Sequence, residues 1–256
     1  MKIAVVTQAR FGSSRLPGKV TRKIGGSPLL EIHLTRARKA KRPTHFFVAT
    51  THEQEANQII DIAKKCNWNY FQGDLNDVLS RFYDCVSPLK PDYVVRITSD
   101  CPLIDPVLID NVIDLAQRKN LDYASNAMDP SFPDGQDVEV FKFAALEIAH
   151  LTSKLSSERE HVTPYIWKNS TFFGGTIFKS DNLHSGGDFK NVRITVDDEN
   201  DFKVVEKLIS KLGADDKWEK YTECYLREPE IHNLNTKVTR NEGYQKSLNQ
   251  DQIHEQ

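Results

Sequence analysis

Cysteine is scarce in this chain, with four residues in 256. Cys66, Cys85, Cys101 and Cys224 stand far apart, and none are paired at the close spacing that is typical of zinc ligands. A chain of this length does not need disulfides to stabilise its core. We therefore expect four reduced, mostly buried thiols, and the sequence argues against both a zinc module and a disulfide scaffold.

Long apolar runs are also missing. The run at residues 3–7 is ended by Gln8 and Arg10, far short of the apolar core of a signal peptide. No apolar stretch approaches the roughly 20 residues that a membrane helix needs. We expect a cytoplasmic protein with no membrane insertion.

An excess of charge of one sign is absent as well. The chain has 34 Lys and Arg residues against 36 Asp and Glu residues, which gives a formal net charge of −2, and it has no extended basic stripe. A nucleic-acid partner normally demands a concentrated positive surface, so we predict no nucleic-acid binding. A small anionic substrate needs only a few well-placed cations and is compatible with this composition.

What the first half of the chain does contain is an alternation of apolar runs and helical patterns. Runs typical of buried strands lie at residues 3–7, 45–49 and 92–98. Amphipathic patterns lie between them, and Ser27-Pro28 and Asp105-Pro106 are typical of helix starts. This alternation predicts an α/β fold with a doubly wound, mainly parallel sheet.

The alternation is interrupted at about residues 126–180, which we interpret as an insertion covering an edge of the sheet. Further strands are predicted at residues 138–143, 171–178 and 192–196. We assign residues 1–240 to a single domain that includes this insertion. Residues 241–256 are polar and are predicted to form a loosely ordered C-terminal tail.

A polar loop at residues 8–19 follows the first predicted strand. It carries three cations and several small residues, namely Arg10, Arg15, Lys19, Gly12, Ser13, Ser14 and Gly18. Ligands of open α/β sheets bind beyond the carboxyl ends of the strands, and this set of amides, hydroxyls and cations suits a triphosphate. The loop matches neither the Walker nor the Rossmann glycine pattern. Its composition alone leaves an ordinary exposed basic loop as the alternative.

Two acidic residues, Asp100 and Asp197, follow predicted strands and should reach the same edge of the sheet. Mg²⁺ usually takes one or two protein carboxylates together with phosphates and water. We therefore predict that Asp100 and Asp197 are Mg²⁺ ligands. Asp100 could instead cap a loop, and Asp198, Glu199 and Asp201 could be first-turn acids favoured by the helix dipole.

Three further polar segments contain candidate binding residues. They hold Gly73, Asp77 and Arg81, then Asp134, Asp137 and Glu139, and then Arg159, Glu160 and His161. Alternation along a strand would point Asp137 and Glu139 to one face. The residues alone leave open a helix N-cap at Asp77 beside a surface Arg81, a solvated acidic face, and a structural His161.

The loop at residues 8–19 resembles the signature of the CMP-sugar synthetase type of nucleotidyltransferase. That group includes the CMP-Kdo synthetases, the acylneuraminate cytidylyltransferases and the spore-coat polysaccharide protein F family. Its pattern, close to ARxxSxRLPGK and then a glycine turn with Pro-Leu, is matched by Ala9, Arg10, Ser13, Arg15, Leu16, Pro17, Gly18, Lys19, Gly25, Gly26, Pro28 and Leu29. The resemblance implies that this loop binds CTP. Arg10 and Lys19 would hold the phosphates, and backbone near Ala9 and Arg10 would read the pyrimidine.

The resemblance also extends to the other segments. It matches Asp100 and Asp197 to the aspartates that hold metal in the family, while Ser99 and Asn200 depart from its pattern without removing a carboxylate. It links the segment of Gly73, Asp77 and Arg81 to the cytosine or ribose. It implies an acceptor pocket made by Asp134, Asp137, Glu139, Arg159, Glu160 and His161. In that pocket Arg159 would suit a carboxylate or phosphate. Family members commonly dimerise through the inserted region, so a homodimer is expected.

The function that the resemblance implies is a Mg²⁺-dependent cytidylyltransferase. Arg10, Lys19, Asp100 and Asp197 would be its catalytic residues. It would transfer CMP from CTP to a sugar acid or phosphorylated acceptor in one in-line displacement, with release of pyrophosphate. The alternatives are a glycosyltransferase that consumes a nucleotide sugar and a non-catalytic nucleotide-binding regulator.

Overall fold

The computed structural model of the chain describes residues 1–12, 15–236, 238 and 240–254. The strands are β1 (Ile3–Gln8), β2 (Lys23–Ile24), β3 (Ser27–Pro28), β4 (His45–Thr51), β5 (Asn69–Gly73), β6 (Tyr93–Thr98), β7 (Tyr123–Ser125), β8 (Glu139–Lys142) and β9 (Ser180–Asn182). The α-helices are α1 (Leu29–Ala37), α2 (Ala56–Lys65), α3 (Val78–Val86), α4 (Pro106–Arg118), α5 (Phe143–Thr152), α6 (Ser156–His161), α7 (Pro164–Lys168), α8 (Glu199–Leu212), α9 (Trp218–Arg227), α10 (Pro229–His232) and α11 (Glu242–His254). Short 3₁₀ helices lie at Lys19–Thr21 and Thr171–Phe173.

Seven strands form one sheet in the order β5-β4-β1-β6-β8-β7-β9. The pairs β5–β4, β4–β1 and β1–β6 are parallel, and β9 is parallel to β7. Within this sheet, as far as the structure describes it, only β8 runs antiparallel to its two neighbours, β6 and β7. The predicted doubly wound, mainly parallel sheet is therefore confirmed.

Both faces of the sheet are covered, which explains the continuous apolar runs of its central strands. Val5 and Val95 pack on one face with residues of α1, α2 and α4. Ala4, Val6 and Val94 pack on the other face with residues of α3 and α5. A third apolar cluster joins α8 and α9 to Leu29 of α1 and lies beside the edge where β1 and β6 end.

Two predicted helix starts have different outcomes. The Asp105 side chain accepts a hydrogen bond from the Val107 N–H at 2.8 Å and caps α4, as expected. Ser27 does not cap α1, because Ser27 and Pro28 pair with β2 in a small hairpin. The Leu29 N–H donates to the Arg22 carbonyl at 2.8 Å, so that the helix begins one residue later than the pattern suggested.

The interrupted segment differs from its prediction in two places. Its strand β8 lies inside the sheet, between β6 and β7, rather than over an edge. The strand predicted at residues 171–178 is a 3₁₀ turn followed by a short loop, because Gly174 has a φ of 82° and Gly175 lies against the Asn169 backbone. A Cβ at residue 175 would stand 2.3 Å from the Asn169 carbonyl carbon, so this close approach requires glycine.

The strand predicted at residues 192–196 is also absent from the described sheet, although its residues are extended and buried. Its backbone bonds to loops: the Ile194 N–H donates to the Asp134 carbonyl, and the Val196 N–H donates to the Asp100 carbonyl, each at 2.8 Å. Val192, Ile194 and Val196 join the third apolar cluster. Asp197 consequently reaches the site from an extended segment and not from a neighbouring strand.

The polar C-terminal segment is helical in the structure, contrary to the loosely ordered tail that we predicted. Helix α11 packs against α6, where Asp251 accepts a hydrogen bond from the Ser157 N–H at 3.2 Å. The Ser247 hydroxyl donates to Glu160 at 2.7 Å. Polar tertiary contacts of this kind order a segment that has little apolar surface of its own.

None of the helices in the described ranges is long and apolar enough to cross a membrane.

Candidate active site

The loop after β1 folds back on itself and delivers Lys19 to the end of the sheet. The Gly18 N–H donates to the Phe11 carbonyl at 3.1 Å, and Gly18 has a φ of 67°. That left-handed conformation favours glycine, and the 3₁₀ turn that starts at Lys19 follows directly. Ala9 is buried, whereas Arg10 and Gly12 are exposed. Of the other predicted loop residues, Ser13 and Ser14 lie outside the described residues.

Lys19 joins the two predicted metal ligands. Its ammonium lies 2.9 Å from Asp197 Oδ1 and 3.4 Å from Asp100 Oδ2, and it also donates to the Val196 carbonyl at 2.9 Å. Burial works to lower the pKa of Lys19, but the two carboxylates outweigh it and raise that pKa. The loop cation and the two distant acids therefore meet at one point, as the sequence predicted.

Asp100 stays ionised although it is half-buried. Burial works to raise its pKa, but the charge of Lys19 and hydrogen bonds from Thr98 and Cys101 lower the pKa to about 2. Cys101 itself is buried, and burial raises the pKa of its thiol well above the usual value. The thiol is therefore unsuited to act as a nucleophile near neutral pH.

Asp197 is held by two arginines. Its Oδ2 lies 3.0 Å from Arg193 Nη2 and 3.2 Å from Arg15 Nη2. Arg193 also contacts Asp134 at 2.6 Å and the fully buried Asp201 at 2.7 Å. Asp198 caps α8 through the Asn200 and Asp201 N–H groups, which confirms the helix-start alternative for that residue. Asp201 belongs to the buried ion-pair network.

A cavity of about 520 Å³ opens beside this cluster, a size typical of small-molecule sites. The predicted residues on its lining are Arg15, Asp100, Asp134, Asp137, Glu139, His161 and Asp197. The cavity therefore brings the loop, both predicted metal ligands and most of the predicted acceptor residues together.

Asp134, Asp137 and Glu139, the three acids that we predicted to bind the acceptor, differ in their partners. Burial and the neighbouring Asp137 raise the pKa of Asp134 to about 6. Burial also raises the pKa of Asp137, although Arg240 forms an ion pair with it. Glu139 accepts from the Tyr123 hydroxyl at 2.6 Å and from Thr163 at 2.5 Å, and it pairs with Arg96. Asp137 and Glu139 both face the cavity, as the alternation predicted.

The third predicted segment is divided between different environments. Arg159 donates to Asp77 Oδ2 at 2.5 and 3.0 Å and to the His150 carbonyl at 2.7 Å, and it is not on the cavity lining. Glu160 accepts from Ser247. His161 lies on the lining, where burial and then the charge of Arg96 lower its pKa to about 4, so the ring is neutral near pH 7.

The segment at Gly73, Asp77 and Arg81 lies at the end of β5, away from the cavity lining. Asp77 caps α3 through the Ser80 N–H at 2.9 Å, as the N-cap alternative proposed. Arg81 is buried and not on the surface; it donates to the Asp74 carbonyl and lies against Gly73. Burial and then the charge of Arg10 lower the pKa of Arg81 to about 10, which indicates that these two arginines stand near each other.

Sequence reasoning missed several residues of the cavity. Arg96 interrupts the otherwise apolar strand β6, and a charged residue in such a strand could have been recognised as a candidate site residue. Trp167, Phe173 and Tyr244 supply aromatic rings to the lining, and no local pattern marked them as site residues. The contribution of α11 was missed because its segment was predicted to be a loose tail.

The described residues contain no cluster of three or more His, Cys, Asp or Glu side chains that could hold a metal by themselves. Asp100 and Asp197 offer carboxylate oxygens from two sides of one lysine. A pair of carboxylates suits Mg²⁺ that is also bound to phosphate oxygens, whereas an ion held by protein alone would need more ligands. The donor set therefore fits a Mg²⁺–triphosphate.

Comparison with known proteins connects this geometry to a family. The family model described as Cytidylyltransferase matches residues 4–219. A cytidylyltransferase structure from Leptospira borgpetersenii is 31% identical, with a TM-score of 0.85 over 94% of this chain and 100% of that one. The spore coat polysaccharide biosynthesis protein SpsF of Bacillus subtilis is 28% identical over 82% of this chain and 88% of its own. An 8-amino-3,8-dideoxy-manno-octulosonate cytidylyltransferase of Shewanella is 33% identical over 46% of this chain and 49% of its own. With its loop, its paired aspartates and a family match over most of its length, the chain belongs to the cytidylyltransferase family of nucleotidyltransferases.

Proposed function

We propose that this protein transfers CMP from CTP to a hydroxyl of a sugar acid and releases pyrophosphate, with Mg²⁺ held by Asp100 and Asp197. The observation that carries the proposal is the contact of the Lys19 ammonium with both aspartates at the rim of the 520 Å³ cavity. This transfer requires a loop cation, two carboxylates and an adjoining space that is large enough for the acceptor.

The reaction is a single displacement at the α-phosphorus of CTP. The acceptor hydroxyl loses its proton to solvent and its oxygen forms a bond to phosphorus, while the bond from phosphorus to the bridging oxygen breaks and pyrophosphate leaves with the electron pair. The exposed Arg10 and the Lys19 ammonium would bind the phosphates and stabilise the leaving charge. Bound Mg²⁺ would supply Lewis-acid polarisation of the phosphate oxygens and lower the pKa of the acceptor hydroxyl.

A sugar acid is favoured as acceptor for two reasons. The relative from Shewanella is named for an octulosonate, which is an acid of this class. The cavity also contains acids, such as Asp134 and Asp137, that can accept hydrogen bonds from sugar hydroxyls. It contains Arg96 and Arg15 as well, whose guanidinium groups can pair with a carboxylate. A phosphorylated acceptor would use the same cations.

The test is an assay of pyrophosphate release from CTP with Mg²⁺ and single sugar acids. We expect release with CTP and much less with ATP, GTP or UTP, and we expect loss of release when EDTA removes the metal. Sugar transfer from a nucleotide sugar without pyrophosphate would support a glycosyltransferase instead. Tight CTP binding with no turnover would support a regulator.

A homodimer formed through residues 126–180 is a second part of the proposal. Five large apolar residues of that segment are substantially exposed, namely Ile148, Leu151, Phe172, Phe173 and Ile177. Contiguous exposed apolar patches mark protein interfaces, and the rings of Phe172 and Phe173 in this set lie 5.2 Å apart between centroids. Light scattering should give twice the 29.3 kDa chain mass, and Leu151→Glu should shift it toward the monomer, whereas Leu226→Glu, at an exposed site on α9, should not.

A further inference from the structure

The two predicted metal ligands differ in how the fold holds them. Asp100 follows the sheet strand β6 closely, so the ladder of parallel strands determines where it lies. Asp197 follows the extended residues 192–196, which lie outside the described sheet. Strand pairing therefore does not fix the direction of the Asp197 carboxylate, and other contacts have to do so.

Those contacts come from Arg193 and Asp201. Arg193 Nη2 donates to Asp197 Oδ2 at 3.0 Å, and the Asp197 N–H donates to Asp201 Oδ2 at 3.0 Å. Arg15 also approaches Asp197 Oδ2, at 3.2 Å, but about a third of its side chain is exposed. One buried pair of residues thus holds both the side chain and the backbone of Asp197.

The pair of Arg193 and Asp201 is itself firmly held. Arg193 donates from Nε to Asp201 Oδ1 at 2.9 Å and from Nη2 to Oδ2 at 2.7 Å, a two-point contact that sets the plane of the guanidinium. The Asn235 side chain donates to Asp201 Oδ1 at 2.8 Å and accepts from the Tyr225 hydroxyl at 2.9 Å. Asp201 is fully buried and Arg193 is nearly so. The guanidinium therefore has little freedom to turn away from Asp197.

This arrangement gives the two carboxylate oxygens of Asp197 different partners. Oδ2 faces Arg193, whereas Oδ1 lies 2.9 Å from the Lys19 ammonium. The same ammonium lies 3.4 Å from Asp100 Oδ2, so Asp197 Oδ1 is on the side of the other predicted ligand. Carboxylates that bind metal ions are commonly held in this way by hydrogen bonds from residues behind them.

Stabilisation of the fold alone does not account for this network. Burial of an ion pair carries a desolvation cost, and such a pair is often no more stabilising than apolar residues of similar volume. Arg193 also contacts Asp134 at 2.6 Å, so three acids share one buried guanidinium. We propose that Arg193 and Asp201 are positioning residues that orient the Asp197 carboxylate for metal binding. This inference rests on the proposed function, in which Asp197 holds the metal.

The experiment measures metal binding and not turnover. Mn²⁺, a paramagnetic substitute for Mg²⁺, is titrated into the full-length protein with an equal concentration of CTP and no acceptor. Free Mn²⁺ is followed by electron paramagnetic resonance, and CTP alone is the reference. Arg193→Lys keeps the positive charge but cannot reproduce the two-point contact with Asp201 while reaching Asp197. We expect its Mn²⁺ dissociation constant to rise about tenfold, toward the value for CTP alone. Asp201→Asn should change that constant in the same direction.

Arg36→Lys is the matched control. Arg36 is also a buried arginine, and it is not on the cavity lining. It donates to the carbonyls of Ile104, Ala214 and Asp216. Urea unfolding should show a loss of stability in both arginine variants, because each loses buried hydrogen bonds. The Mn²⁺ dissociation constant should rise only in Arg193→Lys.

The outcomes separate the inference from the function on which it rests. A destabilised Arg193→Lys protein that binds Mn²⁺ as tightly as wild type would assign Arg193 to the fold alone, which overturns the inference and leaves the proposed function intact. An equal rise in Arg36→Lys would also overturn it, because lost stability would then explain the weaker binding. If Arg193→Lys does not fold, Asp201→Asn decides by the same criteria. A wild type that retains no more Mn²⁺ than CTP alone would remove the metal from the proposed function, and the inference with it.

Discussion

The aspartates on the two sides of the cavity have pKa values that are shifted in opposite directions. On the loop side, Lys19 and hydrogen bonds overcome burial and lower the pKa of Asp100 to about 2. On the acceptor side, burial and the adjacent Asp137 raise the pKa of Asp134 to about 6, even though Arg240 and Arg193 act against them. Burial acts in the same direction on both groups, so the neighbouring charges decide the outcome.

This difference suits the two halves of the proposed reaction. A carboxylate that remains charged near neutral pH can hold a metal ion against phosphate oxygens. Acids with raised pKa values can accept hydrogen bonds from sugar hydroxyls and, when protonated, can donate hydrogen bonds to them. Arg193 connects the two sides, because it contacts both Asp134 and Asp197.

The largest expected effect on stability comes from removing Arg193, the side chain that connects the two sides of the cavity. Arg193→Met would leave the fully buried Asp201 and Asp134 without their shared cation, and breaking a buried pair in this way costs about 3–5 kcal/mol. Urea unfolding should show a loss of that size. Arg227→Met, which removes an exposed pair with Glu223, should cost less than about 1 kcal/mol. Equal losses in the two variants would contradict the structural role of Arg193.

Asp100→Asn directly tests the proposed metal-binding role of Asp100. The amide is close in size to the carboxylate but carries no charge to hold a metal, so we expect kcat/KM to fall by about 10²–10³-fold, the loss seen when one charge-stabilising group is removed. Asp215→Asn, at an exposed aspartate that pairs with Lys39, is the control and should retain full activity. Pyrophosphate release at saturating CTP, with the sugar-acid concentration varied, gives kcat/KM for both variants. A fully active Asp100→Asn enzyme would exclude the proposed metal role.

The pH dependence of stability tests the acceptor side. Asp134 has a folded pKa of about 6, above its ordinary value of 3.8, so it contributes stability below about pH 4 that is lost as the pH rises toward 6. The expected loss is about 2–3 kcal/mol. Asp134→Asn should show a smaller decline in unfolding free energy over this window. Asp100 acts oppositely, because its stabilisation is lost as the pH falls from about 4 to 2.

The same decline in wild type and Asp134→Asn between pH 4 and 6 would show that Asp134 does not carry the raised pKa.

The smallest effect is expected for the contact between the loop at residues 8–19 and the start of α11. Arg15 and Glu242 lie 3.2 Å apart, and about a third of each side chain is exposed. Pairs of this kind are worth about 0–1 kcal/mol, so Glu242→Gln should change the unfolding free energy by no more than that. High salt should reduce even this difference. A loss well above 1 kcal/mol would mean that the pair orders the start of α11 beside the cavity.

The parts of the site that were predicted correctly follow from local rules. Asp100 follows a strand whose buried run is plain in the sequence, and the carboxyl ends of parallel strands meet at one edge. The loop that contains Lys19 directly follows β1, so Lys19 was expected at the same edge. By contrast, Arg159 was a plausible ligand in sequence but is bonded to Asp77, and nothing near residue 159 shows that partner.

The sequence by itself determined the alternating α/β order, the loop after the first strand and the acids that end later segments, because apolar periodicity and turn chemistry act over a few residues. Only the tertiary structure decided that β8 enters the sheet, that residues 192–196 bond to loops, and that α11 closes the cavity. These features depend on contacts between residues far apart in the chain, such as Arg240 with Asp137. A local pattern cannot encode which distant partner satisfies a buried charge or backbone group, and in this protein those partners shape the cavity.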